Sequence, residues 1–316
     1  MTRLPDGYVL RHTAPADMGP VQALLDTVED ADAGEPRGSE IRVANAFRDP
    51  RKELTRNTWV AVAPDGAFAG FAFLFWGRTA QGEGEPYVHP DHRGRGVGDA
   101  LLDAVEARAT ALAATEPPET RPRLHIWCGE AKVRRRGWLL GHGYRAVRDS
   151  YMMRIDMSDE PVEVMPLPAG VEVRPFVLGR DEAAVHAADE DAFADHFLHD
   201  PSTLREWMIQ SVELSGLDPS LWLVAWDGDQ VAGESLTLVF EAEAYVDSLS
   251  VGRRWRGRGL GLALLTRAFG LAHERGLRKV RLGVDAQNPT GALALYLKAG
   301  MRVERREKVW AKDLRG

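Results

Sequence analysis

A chain of 316 residues, 44% hydrophobic and 28% charged, predicts two globular domains with separate cores. A formal net charge of −7 excludes wholesale nucleic-acid binding, and no apolar run approaches the roughly 20 residues that span a bilayer. The single cysteine, Cys128, excludes an internal disulfide; with an opening stretch that lacks the apolar core of a signal peptide, it points to a reducing cytoplasm.

In chain order, Tyr8 to Thr13 reads as a strand and residues 15–29 as a helix. Trp59 to Ala63 and Ala67 to Trp76 read as a hairpin. Arg93-Gly-Arg-Gly-Val-Gly98 is a glycine-rich turn, followed by a helix to about Ala114. Thr115 to Arg123 is polar and proline-rich, a surface loop. Leu124 to Cys128 is a strand, with Cys128 expected as a buried small apolar residue. Pro161 to Gly170 is proline-rich and aperiodic and reads as a linker. Beyond it, Val171 to Phe176 alternates like a strand, and Asp181 to Phe197 and Pro201 to Val212 read as helices. Leu221 to Trp226 and Gln230 to Phe240 form a second hairpin around Asp-Gly-Asp. Ala244 to Val251 is a strand, Leu260 to Gly276 a helix, Lys279 to Asp285 a strand and Gly291 to Ala299 a short helix. Val303 to Leu314 closes the chain in one or two strands.

The two halves repeat. Arg256-Gly-Arg-Gly-Leu-Gly261 copies the earlier turn at a shift of 163 residues. The same ungapped shift carries Gly7 and Arg11 onto Gly170 and Arg174, Trp59 onto Trp222, Gly70 onto Gly233, and Leu101-Leu102 onto Leu264-Leu265. A match of this breadth is a duplicated domain. The expected layout is therefore an N-terminal domain over 1–157, a linker over 158–169 and a C-terminal domain over 170–316.

A glycine-rich turn that opens a helix leaves backbone N–H groups pointing outward beside the positive end of the helix dipole, a cradle for phosphate. The spacing excludes a P-loop, which ends in Gly-Lys-Ser/Thr. It also excludes the G-x-G-x-x-G dinucleotide fingerprint, which follows the first strand of its domain. Both turns, with the preceding Val88-His-Pro-Asp-His-Arg93 and Val251-Gly-Arg-Arg-Trp-Arg256, resemble the GNAT acetyltransferase signature Arg/Gln-x-x-Gly-x-Gly/Ala. Downstream, Asn288, Ala292, Leu295-Tyr296 and Gly300-Met301 resemble the family's Asn-x-x-Ala-x-x-Leu-Tyr…Gly-Phe motif. Pro289-Thr290-Gly291 puts one extra residue between the asparagine and the alanine.

The resemblance implies an α/β fold of two tandem GNAT-like domains, each a mixed, mostly antiparallel sheet flanked by helices. It implies acetyl-CoA as cosubstrate, no metal, and transfer of acetyl to a primary amine of a small molecule by direct attack. The implied coenzyme sites are Leu249, Ser250, Val251, Arg256, Gly257, Arg258, Gly259, Leu260, Gly261 and Asn288 in the second half. In the first half they are Val88, Arg93, Gly94, Arg95, Gly96, Val97 and Gly98. Tyr296 stands where the family keeps a tyrosine that protonates the leaving thiolate. Four residues before Gly143, the matching place in the first half holds Leu139, and Ala131 to Trp138 lacks the asparagine motif. The first half is therefore expected to be catalytically degenerate.

For the base, the strand through Ala244 to Val251 offers Asp247, with Glu241 and Glu243 upstream and Glu234 on the neighbouring strand. Asp247 is the expected base, two residues after Tyr245 and hence on the same strand face. Asp195-His196-Phe-Leu-His199-Asp200 reads as a wall of the acceptor site rather than a metal cluster, and Trp59 and Trp222 read as core. The tandem arrangement is similar to that of the mycothiol synthase family, which acetylates the cysteinyl amine of a thiol precursor; this is the narrower enzymatic alternative. A non-catalytic acetyl-CoA sensor is the alternative of another class. No nucleic-acid or membrane partner is expected, and the chain is expected to be a monomer or a homodimer.

Overall fold

The computed structural model describes residues 4–33, 43, 47–49, 53–213, 217–240, 242–288 and 290–315. The chain forms two compact units. Unit 1 comprises Met1–Cys128, Arg134–Val147 and Val309–Gly316; unit 2 comprises Gly129–Val133 and Arg148–Lys308.

In unit 1, β1 (Val9–His12), β2 (Thr58–Val62), β3 (Phe68–Trp76) and β4 (Gln81–Val88) run antiparallel, each to the next. β5 (Arg123–Gly129) joins β4 in parallel. α1 (Met18–Ala33) covers one face through Val21, Leu24, Leu25 and Val28, which pack on Phe71 and Tyr87. α2 (Val97–Ala113) covers the other. Its apolar residues recur at helical spacing: Val97, Leu101, Leu102, Val105 and Ala109 are buried against β2, β3 and β5. Each fully buried side chain of leucine size contributes about 1.5–3 kcal/mol. α3 (Val133–Gly141) brings the buried Leu139 into the same cluster.

Unit 2 repeats the plan. β7 (Val171–Pro175), β8 (Trp222–Asp227), β9 (Gln230–Phe240) and β10 (Glu243–Val251) are antiparallel, and β11 (Lys279–Asp285) joins β10 in parallel. α4 (Glu182–Phe193) and α5 (Leu204–Met208) lie before β8; α6 (Leu260–Glu274) and α7 (Ala292–Lys298) flank β11 in sequence. α5 opens on a capping box from Thr203 and Glu206 and continues as a π-helical turn over Ile209–Glu213. The repeated arginines bind a repeated aspartate. Arg11 donates to Asp17 at 2.6 and 2.9 Å, and Arg174 donates to Asp181 at 2.6 and 3.0 Å. Each aspartate also accepts a backbone N–H, from Ala14 or Val177, and fixes the turn from first strand to first helix.

Three differences from the expected layout matter. Strands β4 and β6 (Arg145–Asp156) and helix α3 are additional to the elements read from the sequence. The expected domain boundaries also differ from the compact units. Residues 148–156 of β6 belong to unit 2, where Ser150 to Asp156 pair antiparallel with Asp285 to Lys279. Conversely, β12 (Arg302–Asp313) gives its last residues to unit 1, where Trp310 packs among Leu101, Leu124 and Tyr144. Finally, the segment read as a linker is docked on α6. The Met165 N–H donates to Thr266 Oγ1 at 3.0 Å, and Arg267 donates to the Met165 carbonyl at 2.6 Å.

Candidate active site

Both glycine-rich turns have the same backbone. Gly94 and Gly96 take φ of 75° and 83°; Gly257 and Gly259 take 74° and 86°. These are left-handed values that glycine adopts without a Cβ penalty. Gly96 and Gly259 are the N-caps of α2 and α6, so the first N–H groups of each helix face the turn. A Cβ on Gly94, Gly257 or Gly259 would meet nothing, so the left-handed backbone, not crowding, calls for glycine there. A Cβ on Gly261 would lie 2.8 Å from Leu295. Val97 and Leu260, the first residues of the two helices, are buried anchors, and Gly98 faces Val88 and Trp138.

Arg93 and Arg256 brace their turns. Arg256 donates from Nε to the Val251 carbonyl at 3.1 Å and from Nη2 to the Ala192 carbonyl at 3.1 Å. Arg93 repeats the first bond, to the Val88 carbonyl at 3.2 Å, and pairs with Asp32 at 2.8 Å. Arg95 donates to Tyr8 Oη at 3.3 Å, whereas the exposed Arg258 makes no hydrogen bond or ion pair among the described residues. Asn288 secures its own turn. Its Oδ1 accepts from the Thr290 N–H and hydroxyl, so its Nδ2 donates to His196 Nε2 at 2.8 Å. His196 therefore carries any single proton on Nδ1, and burial holds its pKa below the usual range. His196 and His199 lie in turns beyond the end of α4 rather than on one helix face, because the helix stops at Phe193. Among the described residues no group of three or more His, Cys, Asp or Glu side chains is placed to hold a metal ion.

The sheet opens beside each turn. In unit 2 the parallel pairing of β10 with β11 holds only Ala244↔Val280 and Tyr245↔Arg281; in unit 1 that of β4 with β5 ends at Glu83↔His125. Beyond these points the strands part, which leaves the backbone edge through Leu249, Ser250 and Val251 without a strand partner on that side. Gly70 and Gly233 allow the tight packing behind this edge. A Cβ on Gly233 would run into the Ser250 carbonyl oxygen, and one on Gly70 would lie 2.8 Å from the Tyr87 carbonyl oxygen.

At this strand pair unit 2 adds a β-bulge that unit 1 lacks. The β9–β10 register slips between Val246 and Ser248, so Asp247 is an extra residue; β3–β4 pairs without a break. The slip places Leu249 and Val251 in the apolar clusters behind the sheet and Ser248 and Ser250 on the opposite face with Tyr245. Asp247 itself is exposed. The protein around it raises its pKa, and it makes no hydrogen bond or ion pair among the described residues.

On that face lies a charged cluster which the sequence reading had named only in part. Glu234 is fully buried, opposite Ser250 in the ladder. It accepts from Trp222 Nε1 at 2.8 Å and from Ser248 Oγ at 2.6 Å. Burial raises its pKa to about 7, opposed by these donors and assisted by the charge of Asp247. Tyr296, buried in α7, is pushed up to about 12 by burial and then by Glu234. Trp222 is core, as expected, stacked on Phe176 with ring centroids 4.2 Å apart, and also holds Glu234. Asp189 of α4 joins the cluster: Ser250 Oγ lies 3.1 Å from its Oδ1, and Trp207 Nε1 donates to its Oδ2 at 3.3 Å. Of the other acids named from the sequence, Glu243 is committed to Lys279 and Arg281. Glu241 lies outside the described residues. In unit 1 the ladder position of Glu234 is taken by Phe71 and that of Ser250 by Tyr87, both within an apolar cluster.

A glycine-rich turn repeated at two helix N-termini, a parted strand pair and one buried acid–tyrosine cluster mark the candidate site, and comparison with known proteins gives its class. The acetyltransferase (GNAT) family model matches residues 183–301, and a GNAT acetyltransferase domain model matches residues 55–139. The chain belongs to the GNAT acetyltransferase family and is an N-acetyltransferase of tandem type. This family uses acetyl-CoA as cosubstrate.

Along its length the chain is similar to mycothiol acetyltransferases. It is 34% identical to that of Geodermatophilus obscurus over 90% of this chain and 91% of the relative. It is 33% identical to that of Salinispora arenicola over 90% of each. Among solved structures, a GCN5-related N-acetyltransferase from Sphaerobacter thermophilus superposes with a TM-score of 0.79 at 33% identity, covering 99% of this chain and 98% of the other. A tandem GNAT protein from the clavulanic acid biosynthesis pathway shares the fold, with a TM-score of 0.71 at 19% identity over 98% and 99% of the two chains.

Proposed function

We propose that unit 2 transfers acetyl from acetyl-CoA to a primary amine of a small molecule, with Glu234 as the base, Asp247 as the carboxylate that receives the cationic amine, and Tyr296 as the donor to the departing sulfur. The observation that carries this reading is the buried Glu234, without a cation partner, beside Asp247 and Tyr296 where β10 parts from β11.

On this reading the pyrophosphate rests on the N–H groups of the turn through Gly257 and Gly259 and of the first turn of α6. The pantetheine arm lies along the open edge of Leu249 to Val251 and brings the thioester to the bulge. A lysine-like amine is neutral in only about one molecule in 10³ at pH 7, so its proton must be removed. Asp247, accessible and unpaired, draws the ammonium in. Glu234, with a pKa of about 7, takes the proton directly or through water. The amine nitrogen bonds to the carbonyl carbon, and a backbone N–H near Leu249 to Val251 stabilises the oxyanion. The C–S bond then breaks with Tyr296 as donor to the sulfur, and the remaining excess proton on the new amide nitrogen restores the phenol. Tyr296 stays protonated until that moment because burial and the Glu234 charge hold its proton. Once Glu234 has been neutralised by the amine's proton, the second of those forces is gone, and the phenol donates more readily to the thiolate.

The narrower acceptor assignment is the cysteinyl amine of a mycothiol precursor, supported by identity of 34% to a mycothiol acetyltransferase over 90% of the chain. The test is acetyl-CoA turnover, read as free thiol, against that precursor and a panel of amines without the thiol. Preference for the precursor by 100-fold or more in kcat/KM is expected. Equal rates with simple amines would remove the narrower assignment, and no thiol release with any amine would remove the enzymatic one.

A further inference from the structure

Glu234 has a neighbour of its own kind. The carboxylate of Asp189 points inward from α4 and contacts Trp207 Nε1 and Ser250 Oγ, both on residues that are themselves buried. Neither Asp189 nor Glu234 has an ion pair with Lys, Arg or His among the described residues. The other polar groups around the pair are Glu190 and His186 on α4, Ser248 and Asp247 on β10, and Tyr296 on α7. None of these is a cation held against either carboxylate. Two carboxyl groups sharing an interior site without a cation do not both ionise at neutral pH; the pair holds one proton.

The hydrogen bonds say which member holds it. Glu234 accepts two short bonds, at 2.8 and 2.6 Å, which stabilise an anion. Asp189 has longer contacts, 3.1 and 3.3 Å. Its Oδ2 already accepts from Trp207, which leaves Oδ1, facing Ser250, as the oxygen to carry hydrogen. Ser250 has a single hydroxyl hydrogen and stands opposite Glu234 in the ladder. If both acids were anionic they would compete for that hydrogen. If Asp189 is a carboxylic acid, every group is satisfied in one direction: Asp189 donates to Ser250 Oγ, and Ser250 donates to Glu234.

We propose that Asp189 is a positioning residue that keeps its proton at neutral pH and, through Ser250, turns a hydroxyl donor onto the carboxylate of Glu234. This rests on reading Glu234 as the base, but its test does not depend on turnover. In unit 1 the corresponding ladder pair is Phe71 and Tyr87, so the relay belongs to unit 2 alone.

The experiment is difference infrared spectroscopy of the full chain at pH 8, where exposed carboxyl groups are ionised and a protonated carboxyl shows as an isolated C=O stretch. The wild type is expected to show that band. Asp189→Asn, nearly isosteric, is expected to lose it. Glu234→Gln and Asp247→Asn are expected to keep it, because burial does more than the Glu234 charge to hold the Asp189 proton; this excludes those two acids as its source even if the Asp189 variant folds poorly. A band that survives in Asp189→Asn, or vanishes in Glu234→Gln, overturns the proposal. So does a wild type with no band. A correct infrared pattern beside a fully active Glu234→Gln would leave the proton where we place it and remove Glu234 as the base.

Discussion

Glu234→Gln separates activity from stability and puts a magnitude on each. Burial holds the Glu234 carboxyl at a pKa of about 7 against an ordinary 4.5. Between those pH values the folded chain binds a proton that the unfolded chain has released, so stability falls as pH rises from about 4.5 through 7. At about 1.4 kcal/mol per pH unit the loss amounts to about 3 kcal/mol. Glutamine has the same shape, still accepts from Trp222, and has no proton to lose. The variant is therefore expected to be no more stable than wild type at pH 5. At pH 8 it is expected to be more stable by up to about 3 kcal/mol, or about 6–12 °C in the melting of unit 2. Its kcat/KM at pH 8 is expected to fall by about 10²–10⁴, the usual worth of a general base. In the wild type, kcat/KM should rise with pH to a plateau above about 7. Calorimetric melting at pH 5, 6, 7 and 8, paired with thiol-release kinetics, tests both halves. Parallel melting curves for the two proteins across this range would refute the burial argument, and wild-type activity in the variant would refute the assignment of the base.

Other outcomes follow from the same geometry. Tyr296→Phe keeps the ring in its cluster and removes the donor, so kcat should drop about 10-fold or more with CoA affinity unchanged, checked by single-turnover rates and calorimetry. Gly259→Asp puts a side chain and a negative charge where φ is 86° at the helix N-cap, and calorimetry of the full chain should show CoA binding at unit 2 weakened by about 10-fold or more. Asp247→Asn should raise KM for a cationic acceptor more than it lowers kcat, because an accessible anion is lost while Glu234 remains. Trp310→Ala, near the end of the chain, should destabilise unit 1 by about 3–5 kcal/mol, seen as loss of hydrogen-exchange protection in β3 and β5.

Much of the fold was legible because it is written twice. The turns at Arg93 and Arg256, the Gly70/Gly233 pair and the Arg11/Arg174 pair mark the same places in each unit, and the structure gives each a matching local role. What one sequence could not show is a relation between distant strands. The bulge at Asp247 is visible only when β10 is set against β9, because one added residue has no local signature. The cluster was half seen: Glu234 was one acid among several, and Asp189, Trp207 and Ser248 look ordinary until α4 and α5 bring them to β9 and β10. Arg93 and Arg256 stand among the coenzyme residues that the resemblance implies, and what their sequence does not show is that each also braces its own turn through a backbone carbonyl. Proline content marks the segment 158–169 without revealing that Met165 within it is bonded to α6.

Residues 309–316 belong to unit 1, although they are made after the whole of unit 2. A ribosome that has finished the first half has not yet supplied the strand that carries Val309, Trp310 and Ala311 into the unit 1 core. Domains synthesised first ordinarily fold first. Here the earlier unit must wait, with part of its apolar interior uncovered, until unit 2 has been made. Its order of birth and its order of completion are therefore reversed. A stop codon or a frameshift just before Val309 would be felt in the unit that was made first. Quality control acting on the open first unit would thereby discard unfinished copies that already carry every residue of the acid–tyrosine cluster.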